Sequence, residues 1–139
     1  MALIKSLLAL LLGAFLLSAG TSHLGSNRTE FLAQVPTWLP LDPDFVVIAS
    51  GLVEITLGAL LIITALILKK YRGVIGVITA VFFILIFPGN INQYVNHLDA
   101  FGLDTDTKRF IRLLFQPPLV ALALWCSDGL RLLKKLKQI

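Results

Sequence analysis

Long apolar runs separated by short polar segments organise the chain. Each run is close to the roughly 20 residues with which a helix crosses a hydrocarbon core about 30 Å thick. The four runs cover residues 4–24, 45–68, 74–94 and 110–133. The pattern predicts an all-α fold in a single domain, residues 1–139: an integral membrane antiparallel four-helix bundle.

Basic residues lie at the ends of the apolar runs, on one side of the predicted membrane. Lys5 precedes the first run, residues 69–72 separate the second from the third, and residues 131–137 follow the fourth. The two loops of the opposite side, residues 21–44 and 95–108, each carry more acidic than basic residues. By the positive-inside rule, both termini are predicted to be cytoplasmic.

Composition agrees with a membrane protein and excludes several other classes. Hydrophobic residues make up 57% of the chain and charged residues only 14%, whereas charged residues form about 25% of a typical soluble domain. The sequence pI is near 9.5, but because the basic residues flank apolar runs we expect them to contact lipid headgroups and not nucleic acid. Cys126 is the single cysteine, which excludes an intrachain disulfide and a thiolate metal cluster. The expected localisation is a bacterial cytoplasmic (inner) membrane, with several passes and the lipid bilayer as partner.

The first apolar run also resembles a secretory signal. Lys5 precedes its apolar core, and small residues from Ser18 to Gly20 stand where a cleavage site would be. The apolar pattern continues through Leu24, which favours an uncleaved first span.

Glu54 is an ionisable residue inside the second span, where a charged side chain costs about 3 kcal/mol and usually has a partner. It is predicted to lie about 14 Å below the outer surface. His23, Asn90, Arg112 and Gln116 are expected in the same outer layer, on the other three helices. Arg112 is the nearest predicted cation, so a Glu54–Arg112 interaction is expected.

Two stretches are expected to interrupt helices in this layer, because proline lacks an amide hydrogen and glycine is permissive. They are FPGN, with Pro88 and Gly89, and FQPPL, with Pro117 and Pro118. Polar side chains nearby are expected to satisfy the carbonyl groups that the prolines leave free. Farther along the second loop, one residue of 104–106 is expected to cap the last helix. Two carboxylates are too few for calcium, and no metal site is predicted.

Each polar residue also has a purely structural interpretation. His23 would lie in the interface, Asn90 would end a helix, Gln116 would bond free carbonyls, and Arg112 would extend to outer headgroups. Glu54 is the hardest to explain in this way, because a carboxylate at its depth must be neutral, paired or hydrated.

Five segments in order, GTSHL, FLAQVPTWLP, SGLVEITLG, FPGN and RLLFQ, resemble the DoxX-like family of small four-helix membrane proteins. The resemblance covers nearly the whole chain. It implies that the family's histidine is His23, its acidic residue Glu54, its Pro-x-Asn pair Pro88 with Asn90, and its Arg-x-x-x-Gln pair Arg112 with Gln116. Some members are associated, as subunits, with quinone-linked oxidation of sulfur compounds, and others with oxidative-stress complexes or assembly. The double proline of FQPPL departs from the family pattern and leaves the continuity of the fourth helix open.

Two functions from different classes are consistent with these residues. The first is an accessory or ligand-binding subunit whose outer pocket, made by His23, Glu54, Asn90, Arg112 and Gln116, holds a quinone-like or lipid-like molecule. No intrinsic cofactor is predicted, so an oxidoreductase role needs a partner redox enzyme or a bound quinone. The alternative is a small oligomeric transporter or exporter that uses Glu54 as an intramembrane proton or cation site.

Overall fold

Seven α-helices and one 3-10 turn make up the computed structural model, which describes residues 1–139. In chain order they are α1 (Ala2–Leu24), α2 (Arg28–Leu32), α3 (Pro43–Leu66), the 3-10 turn (Lys69–Tyr71), α4 (Arg72–Val95), α5 (Asp106–Leu114), α6 (Gln116–Cys126) and α7 (Gly129–Leu136). Four stretches are long and apolar enough to cross a membrane, namely Ala2–Leu24, Pro43–Leu66, Lys69–Val95 and Asp106–Cys126. The predicted all-α class with four long apolar helices is confirmed.

Glycines bring α1 and α3 into backbone contact. A Cβ atom on Gly13 would lie 2.8 Å from the carbonyl oxygen of Gly58, and one on Gly20 would lie 2.6 Å from that of Gly51. The two pairs are seven residues apart on each helix and run in opposite order, so α1 and α3 are antiparallel. Small residues allow this approach between apolar helices, which have little hydrophobic drive to associate within lipid.

A stripe of small residues on α4, made of Gly73, Gly76 and Ala80, also packs against a neighbour. A Cβ atom on Gly76 of α4 would lie 1.5 Å from Ser127 Oγ, just beyond the end of α6. Farther along α4, Ala80 and Phe83 are buried in one core cluster with Ala123 of α6. The stripe therefore serves helix packing.

The fourth span begins about one helical turn and ends about two turns earlier than predicted, and it has a one-residue interruption. It begins at Asp106 and ends at Cys126 instead of covering residues 110–133. Phe115 separates α5 from α6 but keeps right-handed helical backbone angles. Pro117 and Pro118 fall in the first turn of α6, where a missing amide hydrogen costs little.

The predicted interruption at FPGN is wrong, because α4 continues through Pro88 to Val95. A proline inside a membrane helix is tolerated when neighbouring groups satisfy the carbonyls it frees. Pro88 lacks the amide hydrogen that would bond the carbonyl of Ile84, and Gln116 Nε2 donates to the adjacent carbonyl of Phe83, 2.8 Å away. The expected helix cap is confirmed, since Thr105 accepts a hydrogen bond from the Lys108 amide.

Polar contacts hold together the end of the molecule that carries both chain termini, which we call the terminal end. Lys5 of α1 donates to Asp128 at 2.6 Å. Buried Arg72 donates to Ser6 Oγ at 3.1 Å and to the carbonyl of Cys126. The opposite end, which we call the loop end, carries residues 25–42 and 96–105.

Candidate functional site

A cavity of about 460 Å³ lies at the loop end and is lined by 23 residues, 14 of them hydrophobic. Its walls come from α1, α3, α4 and the α5–α6 segment, and residues 31–39 contribute further lining from the loop. Ligand cavities typically combine this mostly apolar lining with a few placed polar groups. The polar groups here include four residues from the predicted site, His23, Glu54, Arg112 and Gln116.

His23 and Glu54 face each other across the contact between α1 and α3. Both are buried, and His23 Nε2 lies 3.2 Å from Glu54 Oε2. The close approach of the two helices allows this pairing: a Cβ atom on Gly51 would lie 2.6 Å from the Cβ atom of His23, and Glu54 follows Gly51 by about one helical turn. The two atoms are at ion-pair distance, yet neither makes a well-aligned hydrogen bond.

The other ring nitrogen of His23 contacts two groups of α3. Nδ1 lies 3.0 Å from the carbonyl oxygen of Val47 and 3.1 Å from Ser50 Oγ, which also donates to that carbonyl. A carbonyl only accepts, so the contact with Val47 is a hydrogen bond when Nδ1 carries the hydrogen. In that tautomer Nε2 faces Glu54 as an acceptor, and a proton between the two groups would complete a hydrogen bond.

Gln116 is almost fully engaged with other protein groups. Its Oε1 accepts from Asn90 Nδ2 and from Arg112 Nη1, each at 3.2 Å, and its Nε2 donates to the Phe83 carbonyl. An amide oxygen has two lone pairs, so the Oε1 of Gln116 has no further acceptor site for a ligand. Arg112 is half-buried and has five N–H donors, of which this contact uses one.

Asn90 lies behind the cavity and does not line it. Its Oδ1 accepts from Gln34 Nε2 at 3.0 Å, while its Nδ2 donates to Gln116. Gln34 lies in the loop before α3, so Asn90 joins that loop to the fourth span. Asn90 thus positions Gln34 and Gln116.

The expected interaction of Glu54 with Arg112 is not formed as an ion pair. Glu54 is paired with His23, and Arg112 bonds Gln116. Both charged groups line the same cavity. The sequence predicted that Glu54 and Arg112 lie at a similar depth. The side-chain partner of Glu54, however, depends on the register of α1 against α3.

The segments that cover the cavity contain aromatic residues for which no role was predicted. The ring of Phe31 lies against that of His23, with centroids 3.4 Å apart, and Phe101 packs edge-on against Phe31 at 4.7 Å. A Cβ atom on Gly89 would lie 2.2 Å from the carbonyl oxygen of Gln34. Gly89, expected to interrupt a helix, instead lets the loop that contains Gln34 approach α4 closely.

Two arginines outside the cavity, Arg72 and Arg109, are buried, and for Arg72 this differs from the expected contact with lipid headgroups. Arg109 bonds the carbonyl of Leu98 and the carboxylates of Asp99 and Asp106. It thereby fastens the loop between α4 and α5. Arg72 holds the terminal end in the same way, so both act in folding.

A family model described as a domain of unknown function (DUF8561) matches residues 12–127. The match covers the second half of α1, the other three long helices completely, and all the residues that line the cavity. No curated protein and no solved structure matches the chain. The resemblance to DoxX-like proteins stays a prediction.

Proposed function

The chain belongs to the DUF8561 family, and we propose that it is an accessory or ligand-binding membrane subunit whose cavity holds the polar head of a quinone-like or lipid-like molecule. In this proposal the four long helices form an antiparallel bundle in a bacterial inner membrane, with both termini cytoplasmic and the cavity in the outer half. The resemblance to DoxX-like proteins supports the same function. A redox-enzyme subunit or a second copy of the chain is the proposed protein partner.

The observation that carries the proposal is unused hydrogen-bonding capacity inside a mostly apolar cavity. His23 Nε2 and Glu54 Oε2 are buried in residues that line the cavity, and each has only the other, 3.2 Å away and poorly aligned, as a partner. Buried polar groups are nearly always satisfied, so such an exception calls for an explanation, and a functional role is one. Arg112 adds free N–H donors, so three of the five predicted residues have capacity for a ligand. Gln116 positions Arg112, and Asn90 positions Gln116.

The charges in the cavity indicate what kind of head group fits. Arg112 brings a positive charge, and His23 and Glu54 bring a base and an acid 3.2 Å apart. A carbonyl, hydroxyl or anionic oxygen would accept from Arg112, while a second polar atom of the ligand meets His23 and Glu54. A quinone head and a phospholipid head both offer oxygens at two positions, and their apolar tails match the hydrophobic lining.

One of the features that favoured a transporter is absent from the structure. Interrupted helices are a feature of many transporter sites, but α4 is continuous through Pro88. The intramembrane acid remains, so proton transfer by Glu54 stays a prediction.

Native mass spectrometry of the protein, purified with its lipids, tests the proposal. The wild type should retain a small amphiphile, and Glu54→Leu combined with Arg112→Leu should lose it while keeping a wild-type helical signal. Asp44→Asn is the matched control, because it removes an exposed carboxylate from the first turn of the same helix. Equal retention in the folded double variant would contradict the proposal.

A further inference from the structure

A second depression, of about 710 Å³, lies between α4 and α6 on the outside of the helices. Its lining is apolar apart from Gln116 at one end, and it extends past Pro117 and Ala121 to Trp125. The eight steps of helical rise from Pro117 to Trp125 span about 12 Å. Leu130 of α7 closes the groove at the terminal end. A groove of this length and chemistry, within a span, fits part of one hydrocarbon chain.

Positive charge is concentrated where the groove ends. The terminal end carries eight of the twelve basic residues and one of the eight acidic residues. Asp128, that one acid, is already 2.6 Å from Lys5 and lies 3.8 Å from Arg131. Lys134 follows Leu130 by four residues, so the two share one face of α7. Lys134 is exposed and forms no ion pair.

We propose that this groove and the adjoining face of α7 form a binding site for one anionic phospholipid. An acyl chain lies between α4 and α6, and the phosphate group meets Arg131 and Lys134. The site is separate from the cavity at the loop end and does not depend on the function proposed for it. It explains why an amphipathic helix with unpaired cations directly follows the groove.

Charge favours a lipid over a second copy of the chain as the occupant. Two copies that met face to face at this groove would bring their α7 helices and their cations together, and like charges repel. Basic residues near a membrane surface are instead attracted to anionic lipid, by about fivefold in affinity for each Lys or Arg. A zwitterionic lipid would leave the cations without a net opposite charge.

Trp125 provides a direct measurement, because bromine atoms on an acyl chain quench tryptophan fluorescence on contact. The chain has two tryptophans, so a Trp38→Phe background isolates the signal of Trp125. The protein is placed in phosphatidylcholine vesicles that contain a small fraction of phosphatidylglycerol. Bromine is carried on the chains of one lipid or of the other, at matched fractions.

Brominated phosphatidylglycerol is expected to quench Trp125 at least tenfold more effectively than the same fraction of brominated phosphatidylcholine. Arg131→Gln with Lys134→Gln should remove most of this preference, roughly fivefold for each charge. Lys69→Gln with Lys70→Gln is the matched control at the same membrane surface, and it should keep the preference. Circular dichroism and size-exclusion chromatography verify that the variants are folded.

Three results would overturn the proposal. Equal quenching of the wild type by both lipids would mean that the groove takes whatever lipid surrounds it. An equal loss of the preference for phosphatidylglycerol in both double variants would indicate that the lipid is attracted to the whole basic surface and not to a site. Absence of quenching by either lipid would mean that protein, such as a second copy, covers the groove.

Discussion

At the scale of single residues, the cavity depends on which polar groups have already found partners. Gln116 and Asn90 use their amides to bond the protein, whereas His23 Nε2 and Glu54 Oε2 remain unaligned. The sequence predicted the depth of these residues from their distance to the ends of the apolar runs. It could not predict the pairing of Glu54 with His23, because that pairing depends on how α1 and α3 slide along each other.

Glu54 is expected to be energetically coupled to His23 more strongly than to Arg112. Glu54→Leu or His23→Leu alone leaves the other buried polar group without its partner, which costs about 1–3 kcal/mol. The double variant removes both groups. Its loss of unfolding free energy should therefore be smaller than the sum of the two single losses by about 1 kcal/mol or more. Unfolding in sodium dodecyl sulfate, followed by circular dichroism, measures the free energies. A larger coupling in the Glu54–Arg112 cycle would show that the charge pair predicted from depth is the dominant contact.

At the scale of helices, contacts between small residues and local backbone geometry decide the architecture. The lengths of the apolar runs located all four spans, and the third begins and ends close to its predicted limits. The fourth span departs from its predicted limits because Asp128 adopts a left-handed backbone conformation, with φ of 62°. The helix therefore ends there, although the apolar run continues. Hydropathy does not reveal this turn, since the apolar positions continue into α7. The continuity of α4 through Pro88 is not visible in the sequence either, because tolerance of a proline depends on the helices that pack around it.

Enlarging Gly20 is expected to separate α1 from α3. Gly20→Ala places a Cβ atom 2.6 Å from the backbone oxygen of Gly51, and overpacking of this kind costs about 1–3 kcal/mol. The same shift should move His23 away from Glu54 and weaken ligand retention. Gly25→Ala is the control, because its nearest contact would be 3.7 Å away. Equal stability of the two variants in detergent titrations would refute the close-contact interpretation.

The junction between α6 and α7 is expected to weaken in acid. The hydrogen bond from Lys5 holds the pKa of Asp128 below its ordinary value of 3.8. A lowered carboxyl pKa stabilises the folded state above that ordinary value, and this stabilisation is lost as the pH falls through the lowered pKa. Asp128→Asn tolerates the same backbone conformation but removes the charge. The stability difference between wild type and Asp128→Asn should therefore be constant near neutral pH and shrink below about pH 4. A difference that persists unchanged at pH 3 would exclude the ion pair as its cause.

At the scale of the whole molecule, the two ends differ in charge and in construction. Seven of the eight acidic residues lie at the loop end or in the cavity, and most basic residues lie at the terminal end. The charge pattern was visible in the sequence and predicts the orientation. The loop that covers the cavity could not be predicted from the sequence, because its position depends on contacts such as that between Gln34 and Asn90, 56 residues apart. Neither residue lies in a periodic pattern that would indicate its partner.

The charge asymmetry predicts that the terminal end faces the cytoplasm. Alkaline phosphatase fused after Ile139 should be inactive, and a fluorescent protein fused there should fold and fluoresce. Alkaline phosphatase inserted in the loop after Gly102 should be active. Active phosphatase at the C-terminus would reverse the orientation and place the cavity in the inner half of the membrane.

The central claim, that the cavity at the loop end binds a polar head group through His23, Glu54 and Arg112, is tested most directly by the fluorescence of Trp38. Trp38 lines the cavity, and Trp125→Phe leaves it as the only tryptophan. A short-tailed benzoquinone should quench Trp38 in a saturable titration, and a single-chain phospholipid should compete if lipid heads use the same site. Arg112→Leu should weaken binding by about tenfold or more, the value of one charge-assisted hydrogen bond, while Asp44→Asn leaves it unchanged. Quenching by both probes that is linear, without saturation, and equal in wild type and Arg112→Leu would contradict the claim.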